Sequence, residues 1–391
     1  MSNNLATKEV VILGSTGSIG VQALEVIAAN PDRFRVVGLT AGGANVDLLM
    51  EQARKFSVPV VGVSSGGEYA RSIAGEIVVI DGPQASSEIA AIACDVVLNG
   101  ITGSIGLGPT LAALGAGNLV ALANKESLVA GGDLVIKAAR GGGKDLLLPV
   151  DSEHSALYQC FLAGKKSEVK RAILTASGGA FRDRADLAGV TLQEALAHPT
   201  WSMGPVVTIN SATLVNKGLE IIETHYLFDL PYGQIDAVIH PQSVVHSMVE
   251  FNDGATIAHA SPPNMKGPIS YALGGTARVA RASSPIDWSI SHSWQFAPID
   301  SEKYPAVDLA RHCGSVGGAL PAIFNAANEV AVAAFMKEEI AFIDIVRVVS
   351  ETVRQLDHYS AQSPRDLADV SAVEQDARSK ANEIALALRK D

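Results

Sequence analysis

Seven short apolar runs occupy the first 150 residues: VVILG (10–14), RVVGLT (35–40), VPVVGV (58–63), EIVVI (76–80), DVVLN (95–99), LVALA (119–123) and DLLLPV (145–150). Between them apolar residues recur at helical spacing, as in VQALEVIAAN (21–30) and VDLLMEQARKF (46–56). Short apolar strands need cover on both faces, and alternating helices supply it, so the pattern predicts a parallel, doubly wound sheet. Right-handed crossovers then align the C-terminal ends of the strands along one rim, where ligands bind. The 36 glycines fit many tight strand-to-helix turns.

From Asp151 the pattern changes. Helices are predicted at 155–163 and 214–228, and strands at 171–176, 205–210, 236–240 and 244–251. NDG at 252–254 predicts a hairpin that lets GATIAHA pair with the last strand. Residues 151–280 therefore read as an α+β domain. Residues 281–312, rich in Pro, Ser and Trp without periodicity, read as a linker, and 313–391 as a helical bundle. At 48 % hydrophobic residues the chain is not disordered. A net charge of −11 argues against a nucleic-acid partner, although local cations and helix N-termini can still hold an anionic substrate. Cys94, Cys160 and Cys313 are too few and too scattered for a disulfide framework or a CxxC metal site, which favours a reducing compartment. No run resembles a signal peptide or a membrane span, so the sequence predicts a cytoplasmic protein without a membrane partner.

Gly14-Ser15-Thr16-Gly17-Ser18-Ile19-Gly20 follows the first strand and opens the first helix. This is a GxxGxxG variant of the dinucleotide fingerprint, in which glycines let the backbone approach a pyrophosphate. An ordinary glycine-rich turn is the alternative. After the second strand comes Ala41-Gly42-Gly43-Ala44-Asn45, with no acid of the kind that binds the ribose of NAD. That absence favours NADP, unless the loop is only a helix lead-in. Asn124-Lys125-Glu126 places charge on the same rim, or forms a solvated turn.

Asp151 and Glu153 in Pro149-Val150-Asp151-Ser152-Glu153-His154 share a side if the segment is extended. Two carboxylates there suit Mg²⁺ or Mn²⁺. Equally, Asp151 is a helix cap. Asn216, Lys217 and Glu220 share a helix face, which is also the spacing of a surface ion pair, and Glu223 has the look of that surface case. Ser211 and Thr213 precede this helix as candidate caps. Thr175-Ala-Ser177-Gly178-Gly179 is a candidate anion nest. His198-Pro-Thr-Trp201-Ser-Met-Gly204-Pro205 reads as a lid or a buried anchor. His240 and His246 read as structural histidines.

Taken in order, GSTGSIG, LANKESLV, LPVDSEHSA, LTASGGAFR, HPTWSMG, NSATLVNKGLEIIE and IHPQSVVHSMVEF resemble the 1-deoxy-D-xylulose 5-phosphate reductoisomerase family. The resemblance implies an N-terminal Rossmann-type NADP-binding domain (1–150), an α+β catalytic domain with metal and phosphate sites (151–280) and a C-terminal helical bundle. It implies NADPH-dependent rearrangement and reduction of 1-deoxy-D-xylulose 5-phosphate to 2-C-methyl-D-erythritol 4-phosphate, with Mn²⁺ or Mg²⁺, in a homodimer. By motif match the metal ligands are Asp151, Glu153 and Glu220, with Lys125 beside them as a further catalytic group. Substrate contacts fall to Lys125, Ser152, Glu153, Ser177, His198, Ser211, Asn216, Lys217 and Glu220, with Trp201 as cover. Cofactor contacts fall to Thr16, Gly17, Ser18, Ile19, Gly42, Gly43, Asn45, Asn124, Glu126, Gly204 and Met265. The alternatives are another NADP-dependent reductase with an inserted substrate domain, similar to homoserine dehydrogenase, and a redox sensor that binds NADP without chemistry.

Overall fold

The computed structural model describes residues 6–201 and 203–389, which divide into two compact units. The first comprises the chain up to Ser127, Val135–Ser155 and Asn264–Ser284; the second comprises Leu128–Leu134, Ala156–Pro263 and the chain from Pro285.

The first unit is built on seven strands: β1 (Lys8–Leu13), β2 (Phe34–Ala41), β3 (Val60–Val63), β4 (Val78–Asp81), β5 (Val96–Asn99), β6 (Leu119–Leu122) and β7 (Leu147–Pro149). They form one parallel sheet in the order β4-β3-β2-β1-β5-β6-β7. Every apolar run of the first 150 residues is therefore a strand. The order reverses between β2-β1 and β5, the switch point at which α/β sheets bind ligands. Helices α1 (Ser18–Ala28), α2 (Val46–Lys55), α3 (Gly67–Ile73), α4 (Ala85–Ala90) and α5 (Leu107–Gly115) connect the strands up to β6. After β6 the chain runs through α6 (Lys125–Gly131), which leads into the second unit, and α7 (Asp133–Arg140), which returns to the first. Val10 to Leu13 have no exposed surface, as a strand covered on both faces requires.

The chain then enters α8 (Ser152–Phe161), which begins in the first unit and ends in the second. The second unit holds β8 (Val169–Ala176), α9 (Leu192–Leu196), α10 (Pro205–Ala212), α11 (Val215–Phe228), β9 (Ile235–Ile239), β10 (Val245–Phe251) and β11 (Thr256–Ala260). Helix α12 (Lys266–Leu273) returns to the first unit, where it packs on α1, β6 and β7. Strand β12 (Ala297–Pro298) completes a five-stranded sheet ordered β11-β10-β8-β9-β12. As expected from NDG, β10 and β11 pair antiparallel. The bundle is α13 (Ala306–Val316), α14 (Leu320–Met336), α15 (Asp344–Gln355) and α16 (Leu367–Ala387), with α14 packed against both α15 and α16. β12 and the start of α13 fall within the stretch 281–312 that reads as a linker.

One element departs from expectation. PVVTIN, predicted as a strand, is the start of α10, with Pro205 in its first turn. A short apolar run does not distinguish strand from buried helix, and proline suits the first helical position. Ser211 and Thr213 consequently end α10 rather than precede α11 from a loop, although Thr213 Oγ1 accepts from the Val215 amide at 3.3 Å. Inside α11, a Cβ on Gly218 would lie 2.6 Å from Ala310 Cβ, so this glycine permits the close packing of α11 on α13.

Candidate active site

The dinucleotide turn of the first unit fits its proposed ligand. Gly14 has φ +75°, and a Cβ there would lie 2.9 Å from the Gly100 carbonyl. A Cβ on Gly20 would overlap the Ser15 backbone. The turn is thus drawn tightly under the start of α1, with Thr16 and Gly17 in it and Ser18 and Ile19 in the first helical turn. Gly42, Gly43 and Asn45 form the β2-α2 turn, and Asn45 caps α2 by accepting from the Leu48 amide at 3.1 Å. Met265 is the residue before α12. Asn124 is buried; its amide nitrogen donates to the carbonyls of Ile101 and Gly103 and to Glu126, tying the loop after β5 to the start of α6.

The first unit also carries a carboxylate cluster at the end of β7, with Asp151 buried and Glu153 half-buried. Asp151 accepts from the Glu153 amide at 3.1 Å, so it does cap α8. It is a cluster member as well, because carboxylate oxygens of Asp151 and Glu153 lie within 4.8 Å. The extended parity argued from sequence is not what joins them; Ser152 and Glu153 are already helical, and the first turn of α8 does so. Lys125 Nζ is 2.5 Å from Asp151, and His154 Nδ1 is 3.5 Å from its other oxygen. Burial pushes the Asp151 carboxyl up, but the Lys125 ammonium and then His154 outweigh it and hold the group well below the ordinary carboxylate range. Ser152 donates to Glu153. His154, with no exposed surface, was not singled out from sequence.

The second unit carries a polar cluster of its own. Ser177, His198 and Ser211 meet: His198 Nε2 lies 3.0 Å from Ser177 Oγ and 3.2 Å from Ser211 Oγ. His198 Nδ1 accepts from the amides of Thr200 (3.1 Å) and Trp201 (2.9 Å). Two donors on Nδ1 fix the tautomer that carries its proton on Nε2. Burial, then the Arg182 guanidinium, push His198 below its ordinary pKa, so the ring stays neutral near pH 7. Gly178 and Gly179 both have positive φ, and the Gly179 amide donates to Ser177 at 3.1 Å. A Cβ on Gly179 would lie 2.6 Å from the Ser211 carbonyl, so glycine allows this loop to reach α10. Gly204 precedes α10, and Ser202 of the lid segment lies outside the described residues. Trp201 packs edge-on to His246 at 6.1 Å. His240 accepts two backbone amides on Nε2, and His246 Nε2 lies 2.9 Å from Ser261 Oγ, in keeping with structural roles.

On α11, Asn216 and Lys217 both donate to Glu220. This is not a surface pair: Lys217 is 2 % and Glu220 1 % exposed. Glu223, read from sequence as a surface residue, has no exposed surface at all. Burying a carboxylate carries a desolvation cost, which the donors on Glu220 partly offset.

Together these features define a class: a dinucleotide-binding α/β enzyme with carboxylate and phosphate-type clusters. Profiles of the 1-deoxy-D-xylulose 5-phosphate reductoisomerase match residues 10–132, of its C-terminal domain residues 147–228, and of the DXP reductoisomerase C-terminal domain residues 260–380. The 1-deoxy-D-xylulose 5-phosphate reductoisomerase of Rhodococcus jostii is 55 % identical, covering 96 % of this chain and 94 % of that protein; that of Streptomyces coelicolor is 50 % identical, covering 97 % and 93 %. Among solved structures, the reductoisomerase from Zymomonas mobilis in complex with NADPH is 41 % identical with a TM-score of 0.89, covering 97 % of this chain and 99 % of that one. A DOX-P reductoisomerase in complex with NADPH, fosmidomycin and magnesium is 37 % identical with a TM-score of 0.92, covering 97 % and 98 %. The chain belongs to the 1-deoxy-D-xylulose 5-phosphate reductoisomerase family.

Proposed function

We propose that the chain rearranges 1-deoxy-D-xylulose 5-phosphate and reduces the product with NADPH to 2-C-methyl-D-erythritol 4-phosphate, on a divalent cation held by Asp151, Glu153 and Glu220. The observation that carries the site assignment is the ammonium group beside each of the two buried carboxylates, Lys125 at Asp151 and Lys217 at Glu220. The relatives whose structures contain magnesium and NADPH support the choice of groups.

An oxygen-ligated Mg²⁺ or Mn²⁺ polarises a carbonyl and stabilises developing negative charge on oxygen. NADPH supplies the hydride, with its pyrophosphate at the 14–20 turn. Lys125 holds Asp151 ionised and offers a proton donor to substrate oxygens. Ser177, Ser211, Asn216, Lys217 and the Nε2–H of His198 offer donors to the substrate phosphate. Phosphate binding orients the reacting carbons and favours closure of Trp201 over them.

We also propose a homodimer, supported by the exposed Trp288, Ile290 and Phe296 in the segment that leads into the edge strand β12. A cytoplasmic location is supported by the three free cysteines. Among the described residues no helix is long and apolar enough to cross a membrane.

The test is NADPH oxidation on addition of 1-deoxy-D-xylulose 5-phosphate, with and without a chelator. Turnover that needs both substrate and divalent metal is expected. Metal-independent turnover removes the carboxylate assignment, and no turnover with metal present removes the function.

A further inference from the structure

The rim of the first sheet holds a contact that the cofactor motif does not include. Strands β2 and β3 pair with Ala41 opposite Val63, so the residues after each strand leave the sheet side by side. Ser64 donates its amide to Ala41 O at 3.2 Å, and Ser65 Oγ donates to Gly42 O at 2.9 Å. Gly43 has φ +105°, and a Cβ on it would overlap Ser65. Ser65 therefore pins one face of the β2-α2 turn.

A peptide plane sets the consequence. In a trans peptide the carbonyl and the following N–H point in opposite directions. With the Gly42 carbonyl held on Ser65, the Gly43 N–H is turned to the other side. The amides of Gly43, Ala44 and Asn45 make no hydrogen bond among the described residues. The carboxamide of Asn45 has its oxygen committed to the Leu48 amide, which leaves its NH₂ as the free end. The Ser64 hydroxyl likewise makes no hydrogen bond among the described residues. The nearest acid on α2, Asp47, is engaged by the Tyr69 hydroxyl at 2.6 Å. The turn contains no Lys or Arg. It is an uncharged cluster of donors at the end of the second strand, where the adenosine ribose of a dinucleotide lies.

We propose that Ser65 is a positioning residue for the 2′-phosphate of NADPH: it holds the Gly42 carbonyl away from the anion and presents the 43–45 amides to it, with Ser64 as an added side-chain donor. This rests on the NADPH reading above. Preference for the phosphorylated cofactor then comes from neutral donors placed by the neighbouring β3-α3 loop rather than from a cation.

Calorimetric titration of the full chain with NADPH, NADH, adenosine 2′,5′-bisphosphate and AMP separates the two ideas. Wild type should favour the 2′-phosphorylated member of each pair; equal affinities would refute the NADPH reading itself. Ser65→Ala should raise the Kd for NADPH and the bisphosphate by roughly 3- to 10-fold, the range of one neutral hydrogen bond. Its Kd for NADH and AMP should stay at the wild-type value, and Ser65→Thr should restore the difference. Ser64→Ala should show a smaller change of the same kind. A wild type that favours NADPH, with Ser65→Ala changing both cofactors equally or neither, overturns the role of Ser65.

Discussion

Replacing Lys217 by Met tests how much the buried contact between its ammonium and Glu220 contributes to the stability of the second unit. Both residues are at most 2 % exposed, and the ammonium donates directly to the carboxylate. Removing one partner from a buried pair costs about 3–5 kcal/mol, because the remaining charge is left uncompensated. An exposed pair would cost under about 1 kcal/mol. The Asn216 amide still donates to Glu220 in the variant and offsets roughly 0.5–1.5 kcal/mol. The expected loss is therefore about 2–4 kcal/mol. At roughly 2–4 °C per kcal/mol for a unit of this size, Tm should fall by some 4–16 °C. A divalent cation binds the folded site and replaces the missing charge, contributing about 2.7 kcal/mol at a hundred times its Kd. Scanning calorimetry in chelator and in excess Mg²⁺ should show a larger metal-dependent rise in Tm for Lys217→Met than for wild type. A loss of surface-pair size would refute the burial argument. An equal response to Mg²⁺ in both proteins would refute Glu220 as a ligand.

Three further outcomes are expected. His198 has a folded pKa pushed below the 6.5 of the free side chain, so the unfolded chain binds the proton first as pH falls; its stabilisation is complete above about pH 6.5 and is lost as pH drops from there toward the folded pKa. Urea unfolding between about pH 5 and 8 should show this slope in wild type and not in His198→Asn, and parallel curves would refute it. Gly20→Ala places a methyl against the Ser15 backbone, which has no flexible end to yield; NADPH affinity should fall at least tenfold, about 1.4 kcal/mol, and unchanged affinity would place the cofactor elsewhere. Trp201→Phe should abolish the fluorescence change that a phosphonate substrate analogue produces, and a full change from Trp288 and Trp294 alone would move the lid to another segment.

The sheet was legible because strands buried on both faces leave continuous apolar runs bounded by turns, and all seven were found. PVVTIN failed for the same reason: six residues are too few to reveal a helical period. The cofactor turn and the ASGG loop were legible through glycines that the backbone needs, as at Gly14 and Gly179. Burial of Lys217, Glu220 and Glu223 was not, since i,i+3 spacing is identical on a wet and a dry helix face. The available signal was Gly218, a poor helix former that makes sense only where a neighbouring helix comes close. Ser65 was missed because its contact depends on the pairing of β2 with β3, which no local pattern encodes.

The return of α12 to the first unit bears on synthesis. Lys266 pairs with Glu25 of α1 at 2.7 Å, and Arg33 donates to the Arg278 carbonyl at 3.4 Å. The nascent chain therefore displays the α1 surface long before its cover exists. At roughly 5–20 residues per second, the stretch from Ser127 to Ser284 takes about 8–30 s to translate. During that interval the growing sheet carries an open apolar flank, and a protein expressed without residues 264–284 would keep it permanently. An N-terminal fragment ending near residue 150, which lacks that late segment, should therefore be insoluble when expressed alone, and a soluble fragment would show that the flank does not need this cover.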